Sequence, residues 1–191
     1  MNLRKTVLTV ATLNLIYFAI EFHFGRLFDS VALIGDSVDF FEDASINILI
    51  AFAIGWTLRR RQITSYFLAA LLLFPGIAFI WTAIHQILSP EVPHGQGMSW
   101  VGTGALLVNL TCALLIAKHR KEVGGLVIAA YYSARNDAVA NILIIGAGLF
   151  TLRYPSVWPD LIIGLIIFTL NADAAKEIIE ASRAEGKSHQ S

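Results

Sequence analysis

The chain lacks most of what a soluble enzyme uses. It has one cysteine, five histidines, 14 basic and 14 acidic residues among 191. The single thiol, Cys112, excludes an intramolecular disulfide and any cysteine-rich metal cluster. Zero net charge leaves no basic stripe for nucleic acid and no acidic tail. Neither a metalloprotease helix motif nor a nucleophile elbow is present, so no hydrolase reading survives and the chain is not expected to be an enzyme. Charged residues make up 15%, against roughly 25% in an ordinary soluble domain.

What is present is apolar sequence in long runs. Phe67 to Ile84 is eighteen residues without a charge, and Met98 to Ala117 is twenty. About 18 such residues suffice to cross a bilayer core as a helix. Six spans follow from the runs and their polar punctuation: Thr6–Gly25, Ser30–Leu58, Ser65–Leu88, Met98–Ala117, Val123–Leu152 and Ser156–Ala175. Arg59-Arg60-Arg61 ends the second, Lys118-His119-Arg120-Lys121 the fourth, and Arg153-Tyr154-Pro155 the fifth. Pro75-Gly76 reads as a kink, because the apolar run continues on both sides. The first span has no small-x-small cleavage pattern at its end and reads as a transmembrane helix rather than a signal peptide. The expected fold is thus an all-α membrane protein with six transmembrane helices.

Placing both termini in the cytoplasm leaves eleven basic residues on inner segments and two, Arg26 and Arg153, outside. That is a positive-inside bias. Residues 1–175 form the transmembrane domain, and 176–191 a polar cytoplasmic tail too short to pack as a domain.

The chain also echoes itself. Asp43-Ala44-Ser45-Ile46-Asn47-Ile48-Leu49-Ile50 matches Asp137-Ala138-Val139-Ala140-Asn141-Ile142-Leu143-Ile144 at six of eight positions, an Asp and an Asn among them. The segments fall in spans two and five, which cross in opposite senses, as in an inverted three-helix repeat with its binding site near the midplane.

Span two carries Asp36, Asp39, Glu42 and Asp43. An aspartate at the centre of an inserted helix costs about 2.5–3.5 kcal/mol, so these groups must face protein, water or a cation. Asp36, Asp39, Asp43 and Asn47 share one helical stripe, with Glu42 off it. Span five offers Ser133, Asp137 and Asn141 at i, i+4, i+8, at a depth matching Asp43 to within about one turn. Asp39 and Asp43 with Ser133 and Asp137 supply four side-chain donors, a set that suits a first-row divalent ion. A purely structural ion-pair network is the competing account. Arg135 alone cannot neutralise the carboxylates, however, and it lies about 200° around the helix from Asp137.

Asp29-Ser30-Val31-Ala32-Leu33-Ile34-Gly35-Asp36-Ser37-Val38-Asp39-Phe40-Phe41-Glu42-Asp43 resembles the second helix of the cation diffusion facilitator family. Asn14, Glu21 and Gly25 also fit, as does Trp158-Pro159-Asp160 before span six. The resemblance covers about residues 6–180. It implies a dimeric six-helix antiporter that exports divalent metal in exchange for protons. It also implies a metal site at Asp39, Asp43, Ser133 and Asp137, with the metal as transported substrate (Zn²⁺, Co²⁺, Mn²⁺ or similar). Two departures stand out. Serine replaces the family's usual His or Asp at 133, leaving Asn136 or a water as alternative donors. The metal-sensing C-terminal domain is not expected, which makes this a short form.

The partners expected are the lipid bilayer of a bacterial inner (plasma) membrane, a divalent cation, protons and a second copy of the chain. Two other readings remain. One is a proton-coupled exporter of small organic cations built on Glu21 with Tyr17, Phe18, Phe22 and Phe24. The other is a non-transporting sensor or scaffold with Arg135 locking a dead site. His23 and His85 near span ends, and His94, His119 and His189 in loops or tail, are weak ligand signals.

Overall fold

Asn2 opens the first helix, its side-chain oxygen accepting the Lys5 amide at 3.0 Å. This helix, α1 (Leu3–Leu27), closes in a Schellman turn. The Phe28 amide donates to the Phe24 carbonyl and the Ser30 amide to the Gly25 carbonyl, both at 2.9 Å. Asp29 takes the left-handed position at φ 52°, which aspartate tolerates better than most residues other than glycine. Next come α2 (Val31–Ala53), α3 (Leu58–Leu88), α4 (Gly95–Ala117), α5 (Gly125–Arg153) and α6 (Trp158–Thr169). The structure is a computed structural model describing residues 2–53, 58–118 and 125–169, with the side chains of 125–135 and many of those from 52 to 75 outside that description.

Six helices and no strand are present among the described residues, as the apolar runs imply. By length and composition α1 and α4 are apolar enough to cross a membrane. A described boundary moves: α4 begins at Gly95, ahead of the expected Met98. The described part of α2 reaches Ala53, and Arg59-Arg60-Arg61 lies in the described part of α3, which begins at Leu58, where span two was expected to end. Residues 54–57 lie outside the description, as do 170–175 of span six and the tail 176–191. The α3 helix passes through Pro75-Gly76 without a break.

The most extensive contacts join α4 to α5 and α1 to α2, and α2 also meets α3, α4 and α5. Every residue from Val31 to Phe40 is buried. The second helix is therefore the axis of the bundle and has no lipid face over this stretch. Two close approaches need glycine. A Cβ on Gly164 of α6 would lie 2.8 Å from the backbone of Val31 and Ala32, and one on Gly148 of α5 would lie 2.6 Å from the Gly95 carbonyl of α4. The outer faces present Ile16, Ile20, Trp81, Leu107, Leu114, Ile142 and Leu149, an apolar surface suited to lipid.

Apolar clusters flank a polar middle. Toward the start of α2, Ala32 and Leu33 pack with Met98, Val101, Ile144, Ala147 and Ile167. On another side Val31 and Ile34 pack with Ala78, Phe79, Ala83 and Leu161. Toward its end, Ile50 and Ala51 pack on Val7, and Val10 packs on Cys112, Ala113 and Ile116. Between them lie the carboxylates.

Candidate functional site

The start of α2 is fixed by a residue distant in sequence. The Asp160 carboxylate, 1% exposed, accepts from the Ser30 hydroxyl at 2.6 Å and from the amides of Val31 and Ala32 at 2.7 and 3.1 Å. Ser30 Oγ in turn accepts the Leu33 amide at 3.1 Å, as an ordinary N-cap does. An anion here satisfies amides with no intrahelical acceptor and complements the helix dipole. The fourth helix starts on a related device: His94 Nδ1 accepts the Gly97 amide at 3.1 Å, while the His94 amide donates to the Phe28 carbonyl at 3.3 Å. The α1–α2 turn, α4 and α6 are thereby tied together at one end.

From that anchored start α2 carries its carboxylates down the bundle axis. Asp36, Asp39, Glu42 and Asp43 are all buried. Glu42, which lies off the stripe of Asp36, Asp39 and Asp43, is 5% exposed and so buried as they are. Across the α2–α5 contact Asp137 is half-buried. Its charge acts on Asp39, and Asp43 acts on it. Three of the four residues expected to hold metal are thus electrostatic neighbours at one helix–helix contact. The fourth, Ser133, lies on α5 one turn from Asp137, with its side chain outside the description, as is that of Arg135. Asn136, the alternative donor, is exposed. Among the described residues no three His, Cys, Asp or Glu side chains are gathered tightly enough to hold an ion.

The two echoed asparagines behave differently. Asn47 folds back on its own helix, donating to the Asp43 carbonyl at 2.8 Å. Asn141 donates to Asp36 and accepts from the Asn109 amide of α4 at 3.0 Å. Asn109 was passed over in the sequence. It is the sole amide side chain in the charge-free run 98–117, and that isolation was the available signal. Cys112 donates to Asn14 across the α1–α4 contact at 3.4 Å. The aromatics near Glu21 are engaged in packing. Tyr17 meets Phe40 at 5.0 Å between centroids, Phe18 meets Phe41 at 5.1 Å, Phe22 meets Phe74 at 5.7 Å and Phe24 meets Phe28 at 5.3 Å.

A helical bundle with an apolar exterior and a file of carboxylates down its central helix defines a class: an integral membrane domain built around a charged interior. The comparisons with known proteins make this specific. The family model described as the cation efflux transmembrane domain matches residues 7–184, and the chain belongs to that family. It is 22% identical over 190 residues to the zinc transporter ZitB of Yersinia pestis, covering 93% of this chain and 61% of that protein. It is 23% identical over 150 residues to the zinc transporter ZitB of Yersinia pseudotuberculosis serotype I (strain IP32953), covering 72% and 48%. The chain therefore spans between about half and three-fifths of the curated relatives' length.

Proposed function

We propose that the protein is a secondary active transporter that exports a divalent metal cation from the cytoplasm in exchange for protons. Its site is built from Asp39 and Asp43 on α2 with Ser133 and Asp137 on α5. The observation that supports this is the electrostatic coupling of buried Asp39 and Asp43 on α2 to Asp137 of α5 across the α2–α5 contact. The zinc transporters to which the chain is similar support Zn²⁺ as the first cation to test. In this reading both termini are cytoplasmic, the working unit is a homodimer, and the membrane is a bacterial inner membrane.

The coupling follows from ligand chemistry. A carboxyl group must be ionised to ligate metal, so metal binding releases whatever protons the site holds. One site that takes either metal or protons, opened alternately to each side, is an exchanger. Zinc affinity of the purified chain should weaken as pH falls from about 8 to about 5.5, with proton release measurable in weak buffer. Affinity independent of pH, with no protons released, would exclude exchange at this site.

A further inference from the structure

Glu21 of α1 is fully buried, and neither of its carboxyl oxygens has a hydrogen-bond donor. Its carboxyl lies within hydrogen-bonding reach of Asp36 on α2. The Asn109–Asn141 relay fixes which way Asp36 faces. Asp36 Oδ2 takes the Asn141 amide, and Asp36 Oδ1 is left buried with no donor. Two acceptor-only carboxylates thus meet across the α1–α2 seam with open lone pairs.

The other titratable groups acting on the pair bring no relief. They are Asp39 acting on Glu21, Asp43 acting on Asp36, and Tyr17 beside both, while Asp36 acts in turn on Asp39 and Asp137. Tyr17 directs its hydroxyl to the Val101 carbonyl at 2.5 Å, not to the pair. Two bare charges held like this in a low-dielectric interior are costly, whereas one proton turns the same contact into a short, charge-assisted hydrogen bond.

We propose that Glu21 and Asp36 bind one proton between them, as a carboxyl–carboxylate hydrogen bond that ties α1 to α2, on side chains other than the proposed metal carboxylates. Asp36 lies nearer the α1–α2 turn than Asp39 and Asp43 do. Parting of α1 from α2 at that end would admit water and let the proton leave. The site stands whether or not Asp39, Asp43 and Asp137 hold metal.

The test is infrared spectroscopy of the full chain in lipid nanodiscs, with ¹³C-labelled glutamate or aspartate to assign the C=O stretch of protonated carboxyls. Wild-type protein should show one such band that survives saturating zinc chloride and disappears in both Glu21→Gln and Asp36→Asn. In each variant the new amide supplies the donor, which leaves the partner ionised. Without any zinc response, the metal-free difference between wild type and Glu21→Gln still decides the matter, so failure of the metal reading is read separately. A wild type with no zinc-resistant band, or a band that persists in both variants, would overturn the proposal. So would a loss of zinc affinity beyond about threefold in Glu21→Gln at unchanged melting temperature, because it would place Glu21 among the metal ligands.

Discussion

Replacing Asp160 by alanine removes the acceptor for three donors at the start of α2, each at a residue buried from solvent. A hydrogen bond to a charged group contributes about 1.5–3 kcal/mol. Three of them do not add fully, because Ser30 keeps its own bond from the Leu33 amide and its hydroxyl can rotate. Stranding the amides of Val31 and Ala32, both 0% exposed, sets the larger part of the loss, and the sum comes to roughly 3–5 kcal/mol. For a chain of this size each kcal/mol moves the melting temperature by about 2–4 °C, so Asp160→Ala should melt roughly 6–20 °C lower. The four tryptophans provide a fluorescence signal for thermal unfolding in detergent. Asp160→Asn keeps one carbonyl acceptor but turns an NH₂ toward a donor, and it should fall between alanine and wild type. A shift below about 3 °C for Asp160→Ala would refute the reasoning, since it would mean these donors find other partners when the carboxylate is gone.

Asp43→Ala and Asp137→Ala should each abolish zinc binding by isothermal titration; affinity retained within about threefold in either would remove the site from these two helices. Ser133→His should strengthen Zn²⁺ and Co²⁺ relative to Mn²⁺, since imidazole is the softer donor. An unchanged selectivity order would show that residue 133 does not reach the metal. In a Cys112→Ser background, cysteine at His94 should label from outside intact cells and cysteine at Gln62 should not; the reverse would invert both the topology and the direction of transport.

Much of the helix layout was legible in the sequence because a bilayer imposes its own grammar: long apolar runs, basic residues at their ends, carboxylates only where something receives them. Periodicity says less here. A stripe argument assumes that a helix has an inside and an outside. The second helix, buried continuously from Val31 to Phe40, has no outside there, and just past that stretch Glu42, off the stripe, is buried as well. The internal echo drew attention to Asn47 and Asn141, but identical residues on two helices met different surroundings, one its own backbone and the other a relay across α2, α4 and α5. The pairing of Glu21 with Asp36 and the capping of α2 by Asp160 join residues far apart in the chain. No local pattern announces such contacts, although each partner sits in a segment that the family resemblance had already singled out.

The cap also sets an order of assembly. As the chain emerges from the ribosome, α1 and α2 can pair early, held by the Schellman turn and their long shared seam. The first amides of α2 nonetheless have no acceptor until residue 160 has been synthesised, more than a hundred residues later. Until then the helix that carries the four buried carboxylates has an unfinished end. Completion of α6 is therefore what finishes the start of α2.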